Sequence, residues 1–409
     1  MRKIIFLLLI ALRAQAQTDS LDIKIGQMLL VGFPASAVDP GVLDDVRTGK
    51  AGSILLFEKN VPAANSYVRL KKIIQTYQQA APFLLLIGID QEGGKVNRLK
   101  EKYGFPKSMS SAALAKMQSL DSVRFYSECT AATLAGLGIN INFAPCVDLN
   151  VNPNNPVIAK KERAYSADAD SVTMMANEVV NAHHRCNVLT ALKHFPGHGS
   201  SNDDTHLGLT DVTKTWSKEE LKPYQQLIDD GTIDAVMTSH IVNRQLDKEG
   251  YPGTLSAKII NGLLRNKMNY RGVVFTDDMQ MRAITGYYGL REAIRYAIHA
   301  GVDILCFSNN ISGSKTRTAD SVHALIKTMV LNGEVPRERI EESFKRVVAL
   351  KKKLINNSTE QLSKTVKEQQ QIMAQQKAKL DEMTAALENV VPAKKENTKE
   401  KKKKRKKSF

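Results

Sequence analysis

Cysteine is scarce in this chain, with 4 residues in 409, and long apolar runs are missing from most of it. Cys129, Cys146, Cys186 and Cys306 show no Cys-x-x-Cys spacing and lie in apolar runs such as "DILCFS". Buried free thiols are therefore the favoured interpretation, and a disulfide bond remains the alternative because export would permit one. After residue 16 no segment approaches eighteen consecutive apolar residues, so the mature chain is expected to be soluble.

The first sixteen residues have the pattern of a secretory signal peptide. Arg2 and Lys3 form a short positive region, and residues 4–12 form an apolar run that is too short to span a bilayer. The "AQA" at residues 14–16 matches a small-x-small cleavage site. We expect residues 1–16 to be removed and the protein to be exported, to the periplasm or beyond the cell.

The last fifty residues differ in composition from the rest of the chain. Residues 393–409 contain ten Lys/Arg and two Glu, which is half of the net charge of +16, and such a like-charge block is expected to be disordered. It is either a solvated tail or a contact for an anionic wall polymer or membrane, and no specific nucleic-acid partner is expected. Residues 357–392 are predicted to form a polar helix. Apolar residues recur every seven positions over 358–390, so a coiled coil that mediates self-association is possible, and a lone solvated helix is the alternative.

Short apolar runs alternate with helical patterns between these two ends. Continuous apolar runs are typical of parallel strands buried on both faces, and eight such units predict an α/β fold, a (β/α)8 TIM-like barrel over residues 17–356. A doubly wound open sheet is the rival, weakened because no Gly-x-Gly-x-x-Gly follows the first strand. The predicted strands lie within residues 26–33, 52–57, 83–90, 138–145, 187–195, 234–241, 272–278 and 301–308.

Charged residues stand at the ends of these apolar runs. In a (β/α)8 barrel the chemistry collects at the C-terminal ends of the strands. These end positions are therefore candidates for one site: Asp90, Asp148, Lys193, His194, His240, Asp277 and Asp278.

The segment "LKHFPGHGSSNDDTHLGL" (192–209) carries three of the eight histidines of the chain. Its Pro-Gly break predicts an exposed loop above the barrel. Asp204 and His206 stand two apart, a spacing that lets a carboxylate orient an imidazole and raise its basicity. Solvated loop histidines are one alternative. The other is a zinc site, since His194, His198, Asp204 and His206 supply suitable ligands.

The run "VVFTDDM" places two acids at the end of the seventh predicted strand. A rigidly held, partly desolvated carboxylate suits a nucleophile or a general base. The alternative is a structural aspartate that caps the next helix. Two adjacent acids allow both, with Asp277 facing the pocket and Asp278 serving locally.

These segments resemble a known enzyme family. "LLRNKMNYRGVVFTDDM" (263–279) is similar to the active-site signature of glycoside hydrolase family 3, and "KHFPGHGSSNDDTH" (193–206) resembles the motif of its single-domain bacterial β-N-acetylglucosaminidases. "GIDQEGGKVNRL" (88–99) and "KERAY" (161–165) look like its substrate-binding segments. The resemblance covers residues 22–355 and supports the barrel prediction.

The resemblance implies roles for individual residues. Asp277 matches the catalytic nucleophile, His206 the general acid/base and Asp204 its orienting partner. The residues that match sugar-holding positions are Asp90, Arg98, Arg163, Lys193 and His194. No metal or other cofactor is implied.

The implied activity is that of a retaining, exo-acting β-N-acetylhexosaminidase that works through a covalent glycosyl-aspartate. The implied substrate is an amino-sugar oligosaccharide, from peptidoglycan fragments or chitin-type chains, with water or phosphate as the acceptor. The second α/β domain found in many family 3 β-glucosidases has no counterpart in this sequence. A zinc-dependent hydrolase on the same barrel and a non-catalytic wall-binding protein are the competing hypotheses.

Overall fold

A computed structural model describes residues 21–312, 316–355, 371 and 373–382. The chain divides between Asn357 and Ser358. In the second part, residues 373–382 are helical. The predicted signal peptide, the basic tail and most of the predicted heptad segment lie outside the described residues, and those interpretations stay predictions.

Eight parallel strands close into a barrel, as the sequence predicts. The order around the barrel is β1-β10-β9-β7-β5-β4-β3-β2, so neighbours in the barrel are also neighbours in the chain once a separate two-stranded pair, β6 and β8, is set aside. The strands of the described residues are, in chain order, β1 (Leu29–Gly32), β2 (Ser53–Leu56), β3 (Leu86–Ile89), β4 (Ile141–Asn142), β5 (Leu189–Phe195), β6 (Thr210–Asp211), β7 (Ala235–Thr238), β8 (Ile241–Val242), β9 (Val273–Asp278) and β10 (Ile304–Phe307).

Helices alternate with the barrel strands. Short 3₁₀ turns lie at Glu58–Asn60, Glu101–Tyr103, Lys218–Leu221 and Gly253–Leu255, and Lys258–Lys267 is π-helical. The α-helices are α1 (Leu21–Gly26), α2 (Pro40–Arg47), α3 (Ser66–Ala80), α4 (Ser111–Lys116), α5 (Leu120–Leu137), α6 (Ala169–Arg185), α7 (Lys222–Asp229), α8 (Arg282–Thr285), α9 (Leu290–Ala300), α10 (Ala319–Leu331) and α11 (Arg337–Ile355).

The strands are buried on both faces, which explains their continuous apolar sequences. Alternate residues of each strand point to opposite sides. Leu30 and Leu55 belong to the cluster that fills the barrel, whereas Val31 and Ile54 belong to the cluster that includes residues of the surrounding helices. Leu350 of α11 joins the interior cluster, so this last helix packs against the barrel.

None of the four cysteines forms a disulfide bond, as the favoured interpretation predicted. Cys146, Cys186 and Cys306 are buried and Cys129 is partly buried. None of the described helices is both long enough and apolar enough to cross a membrane.

Candidate active site

A cavity of about 450 Å³ opens among the strand ends and loops that follow the barrel strands. That volume is typical of a small-molecule site. Two of the strand-end candidates, Asp148 and His240, do not line this cavity. The cavity does bring together all eight residues to which the resemblance gave roles, although those roles stay predictions. They are Asp90, Arg98, Arg163, Lys193, His194, Asp204, His206 and Asp277.

A network of buried charges forms one wall of the cavity. The Lys193 ammonium lies 2.7 Å from Asp90 Oδ1 and 2.6 Å from Glu92 Oε1. Arg163 donates through Nε and Nη2 to the two oxygens of Glu92, each at 2.8 Å. Glu92 is thus the shared partner of both cations, and sequence reasoning had not assigned it a role. The only signal for it was its place within the substrate-binding segment of residues 88–99.

Electrostatics keep this wall charged in spite of its burial. Burial alone would raise the pKa of Asp90, but Lys193 and Arg98 outweigh it and lower that pKa. Burial would likewise lower the pKa of Lys193, but Asp90 and Glu92 outweigh it and raise that pKa. Buried charges persist only when they are paired in this way. The cavity therefore presents fixed donors and acceptors that suit sugar hydroxyl groups.

Arg98 extends the wall toward the cavity mouth. Its Nη2 lies 3.5 Å from Asp90 Oδ2, and its guanidinium stacks over the Phe57 ring at 5.4 Å from the centroid. Its buried Nε has no hydrogen-bond partner among the described residues. A buried donor without a partner costs free energy unless a ligand satisfies it.

His194 is held between the Asp148 carboxylate and the Arg163 guanidinium. Asp148 Oδ2 lies 2.6 Å from His194 Nδ1, and Arg163 Nη2 lies 3.0 Å from His194 Nε2. Arginine can only donate, so Nε2 of the imidazole accepts and Nδ1–H donates to Asp148. Asp148 also accepts the His198 amide at 2.7 Å. Asp148 therefore fixes both histidines, a role that its position just after the fourth strand did not specify.

The zinc hypothesis named a group of ligands that the structure does not assemble. His198 Nδ1 pairs with the Ser201 hydroxyl at 2.7 Å, and His206 Nδ1 pairs with Asp204 at 2.7 Å. Across the described parts of the chain, one cluster has metal-ligand spacing, and it comprises Cys146, Asp148 and His194. The Arg163 guanidinium beside His194 opposes a divalent cation there.

Asp277 lies on β9 and lines the cavity. Its Oδ1 accepts the Asp278 amide at 2.7 Å, which is its one hydrogen bond within the described ranges. Burial raises its pKa, but the electrostatic influence of His240, His194 and His206 outweighs burial, and the pKa falls below its usual value. A partly buried carboxylate whose lowered pKa favours ionisation, and which has few hydrogen bonds, is available as a nucleophile.

Asp278 serves the local structure, as the sequence analysis allowed. It accepts the Gln280 amide at 3.1 Å and both the amide and the hydroxyl of Ser308. Burial raises its pKa to about 6. Behind it, His240 is fully buried, with Nε2 2.9 Å from the Asp278 carbonyl oxygen and Nδ1 2.8 Å from the Thr254 hydroxyl. His240 thus supports the end of β9 from behind.

The loop after β5 has a buried base and an exposed arm. Residues 196–201 are buried, whereas His206 has a side chain that is 52% exposed. Asp204 Oδ1 accepts both the His206 amide at 2.8 Å and His206 Nδ1 at 2.7 Å. The Asp204 hydrogen bond raises the pKa of His206, and this outweighs the opposing effect of burial. His206 Nε2 is left to meet a ligand in the cavity.

Comparisons with known proteins identify the family of this chain. The family model described as "Glycosyl hydrolase family 3 N terminal domain" matches residues 20–350. The chain is 32% identical over 325 residues to "Beta-hexosaminidase A" of Pseudoalteromonas piscicida, a match that covers 75% of this chain and 54% of that protein. It is 30% identical over 289 residues to a "Beta-hexosaminidase" of Tolumonas auensis, covering 70% of this chain and 84% of that protein.

A solved structure is similar over most of the chain. It is a glycoside hydrolase family 3 beta-N-acetylglucosaminidase from Paenibacillus sp. str. FPU-7, with a TM-score of 0.76 and 31% sequence identity. The match covers 86% of this chain and 68% of that one.

Proposed function

The chain belongs to glycosyl hydrolase family 3, and we propose that it is a retaining, exo-acting β-N-acetylglucosaminidase. One observation carries the proposal: Asp277, whose carboxylate accepts a single hydrogen bond, and His206, whose ring is oriented by Asp204, line the same cavity. The names of the relatives point to the same amino-sugar chemistry. A single cavity beside a wall of sugar-binding charges suits removal of a terminal residue.

The reaction proceeds in two steps. Asp277 attacks the anomeric carbon as His206 Nε2 gives its proton to the leaving oxygen, which forms a covalent glycosyl-aspartate. The neutral imidazole then takes a proton from water as the water attacks the same carbon and releases the sugar and Asp277. Two displacements at one carbon retain its configuration.

The charges of the two groups suit these steps. Asp277 must be ionised to attack, and its lowered pKa keeps it so at neutral pH. His206 must first be protonated, and its raised pKa favours that state. Each group stabilises the charged form of the other, because the negative carboxylate faces a positive imidazolium. A histidine can then release its proton within the physiological range.

The wall of the cavity orients the sugar. In this proposal Asp90 accepts from hydroxyl groups while Arg98 and Lys193 donate to them. His194 and Arg163 complete the ring of contacts. These groups are fixed before the substrate arrives, so little ordering is required on binding.

Substrate and location extend the proposal. The natural substrate is a terminal β-linked N-acetylglucosamine on a peptidoglycan fragment or a chito-oligosaccharide. Export follows from the signal-peptide pattern of residues 1–16, and the basic residues 393–409 are proposed to contact an anionic wall polymer or membrane. Self-association through residues 358–390 is the remaining part of this proposal.

A panel of aryl glycosides tests the activity. Wild-type protein is expected to cleave the β-N-acetylglucosaminide much faster than the β-glucoside or the β-N-acetylgalactosaminide. His206→Ala is expected to lose about 10²- to 10⁴-fold in kcat/KM, the usual contribution of a general acid. The matched control is His299→Ala, since His299 lies on α9 and its Nε2 pairs with the Glu334 carbonyl oxygen outside the cavity.

The panel also separates the competing hypotheses. A zinc-dependent hydrolase would lose activity in EDTA, whereas the proposed mechanism is expected to be insensitive to it. A wall-binding protein would bind the glycosides without turnover. Parental activity in His206→Ala would overturn the acid/base assignment and leave the family membership intact.

A further inference from the structure

The base of the acid/base loop is fixed by several groups outside the cavity. The side-chain Nδ2 of Asn155 donates to the carbonyl oxygens of His198 and Gly199 at 2.7 and 3.0 Å. Trp216 Nε1 donates to the Pro196 carbonyl oxygen at 3.0 Å. These contacts hold residues 196–201 in place, while His206 lies farther along the same loop. Any group that fixes residues 196–201 therefore influences the position of the His206 side chain relative to the cavity.

Glu220 is the acidic member of this support. It lies in the 3₁₀ turn Lys218–Leu221, is 1% exposed, and accepts the Gly199 amide at 2.8 Å through Oε2. Its Oε1 is buried and, as far as the described residues extend, has no hydrogen-bond partner of normal geometry. A buried carboxyl with one satisfied oxygen is costly when ionised. The position of Glu220 beside the loop therefore calls for a reason beyond packing.

The backbone of Gly197 lies in close contact with the side chain of Glu220. Gly197 has a φ of +115°, and a Cβ at that position would lie 2.5 Å from Glu220 Cβ. Glycine is needed both for that backbone conformation and for that approach. The loop base and the 3₁₀ turn therefore cannot separate or shift without changing the Glu220–Gly199 contact.

Few other groups around Glu220 change charge near neutral pH. Burial raises the pKa of Glu220 to about 7; Asp148 raises it further, and Ser200 opposes these effects. Asp148 itself stays ionised because His194 and His198 outweigh its burial, and burial lowers the pKa of His198 to about 4. Tyr224, which also faces Glu220, stays neutral because burial raises its pKa.

We propose that Glu220 is a positioning residue for the acid/base loop, and that its protonation loosens the base of that loop. A carboxylate accepts a charge-assisted hydrogen bond that is roughly twice as strong as a neutral one. Loss of the negative charge therefore weakens the bond to Gly199. The inference rests on the proposed role of His206 and adds a second control over it, from a residue that never touches substrate.

The test compares pH profiles of kcat/KM on the aryl N-acetylglucosaminide. Glu220→Gln keeps an oxygen that can accept the Gly199 amide but cannot change charge. From about pH 8 to about pH 5.5 the ratio of Glu220→Gln to wild type is expected to rise roughly fivefold, since the wild type alone weakens its contact. Glu219→Gln is the matched control, because Glu219 is exposed on the same turn. A Glu220→Gln profile that parallels wild type overturns the proposal.

A second variant covers the case in which Glu220→Gln does not fold. Ser200 favours the ionised form of Glu220. Ser200→Ala is expected to raise the pKa of Glu220. As the pH is lowered, kcat/KM should therefore begin to fall at a higher pH than in the wild type. An unchanged profile in this variant contradicts the coupling.

Hydrogen exchange gives a readout that does not depend on turnover. In the wild type, protection of the amides of residues 197–201 is expected to be greater at about pH 8 than at about pH 6 after correction for intrinsic rates. In Glu220→Gln the difference is expected to vanish. Equal pH dependence in both proteins overturns the Glu220 proposal, whereas parental activity in His206→Ala overturns the proposed acid/base role of His206 instead.

Discussion

Two carboxylates at opposite ends of the barrel, Asp277 and Asp303, differ in how many partners they have. At the C-terminal end, Asp277 has one hydrogen bond, from a main-chain amide, and faces an open cavity. At the N-terminal end, Asp303 accepts from Arg265 Nη2 at 2.6 Å, the Ser343 hydroxyl at 2.9 Å and Arg346 Nη1 at 3.0 Å. It also accepts from Arg339 and from the Val274 amide.

A second acid at the N-terminal end follows the same pattern as Asp303. Asp234 meets His184 Nε2 at 2.6 Å, Lys353 Nζ at 2.8 Å and the Thr190 amide at 3.0 Å. A fully paired carboxylate holds elements together and has nothing left for a ligand. Asp277, by contrast, is left free for a reaction. The division agrees with the general rule that chemistry lies at one end of a (β/α)8 barrel and stability at the other.

The largest expected effect is on activity at the C-terminal end. Asp277→Ala removes the nucleophile, and kcat is expected to fall on the order of 10⁴-fold or more. The melting temperature is expected to stay the same or rise, because a partly buried charge with one hydrogen bond is lost. Kinetics on the aryl glycoside and a thermal melt measure both quantities. A large loss of stability together with modest loss of activity would place Asp277 among the structural acids.

The next largest effect is expected at the N-terminal end of the barrel. There a substitution should lower stability and leave activity unchanged. Asp303→Asn leaves several buried guanidinium groups without their counter-charge, and the free energy of unfolding is expected to fall by about 3–5 kcal/mol. Urea denaturation measures it. The kcat of the protein that remains folded is expected to match the wild type. A kcat that falls in proportion to stability would break the proposed division between the two ends.

Lys351 adds a buried amine to the comparison of buried and exposed charges in the barrel. It is a buried cation of α11 whose Nζ donates to Gln27 Oε1 at 2.5 Å and to the Gly52 carbonyl oxygen at 2.9 Å. Burial lowers its pKa to about 7. Between that pH and its ordinary value the unfolded chain holds a proton that the folded chain has lost, so Lys351 makes stability rise with pH in this window.

The variant Lys351→Met isolates that contribution. The difference in unfolding free energy between wild type and variant is expected to rise with pH above about 7, by up to about 1.4 kcal/mol per pH unit. Other groups titrate in the same range, but they cancel in the difference. A flat difference between the two proteins would show that Lys351 is charged at neutral pH in the folded chain. Activity is expected to be unaffected.

The barrel could be predicted because its strands are buried on both faces. Each apolar run that was identified contains one barrel strand. The short pair β6 and β8 was not identified, since a two-residue strand leaves no pattern. Asp277 and Asp278 both line the cavity, so facing alone does not separate them as the sequence analysis had suggested. Their partners do: Asp278 accepts from Gln280 and Ser308, whereas Asp277 accepts one main-chain amide.

The partners of the site were harder to predict. Glu92 meets Arg163 from 71 positions away, and Glu220 meets Gly199 from 21. Such pairs depend on how strands and turns are placed side by side, which local sequence does not encode. The grouping of four zinc ligands failed for the same reason: it relied on chain spacing, whereas the structure directs His198 and His206 to different partners.

The smallest expected effect concerns Asp204, a half-buried partner of His206 at the C-terminal end of the barrel. Its hydrogen bond is the main cause of the raised pKa of His206. That raised pKa keeps the imidazole protonated, and so able to act as the acid, up to a higher pH. In Asp204→Asn the pKa of His206 falls, so the alkaline limb of the kcat/KM profile moves to lower pH. The loss at about pH 8 is expected to be about tenfold, less than complete loss of a general acid, because Asn still accepts from Nδ1 and keeps the ring oriented. Asp203→Asn, one residue earlier on the same arm, is the matched control. If both variants kept the wild-type alkaline limb, Asp204 would hold the loop without tuning its histidine, and the contrast between reactive and structural acids would have to be drawn inside the loop itself.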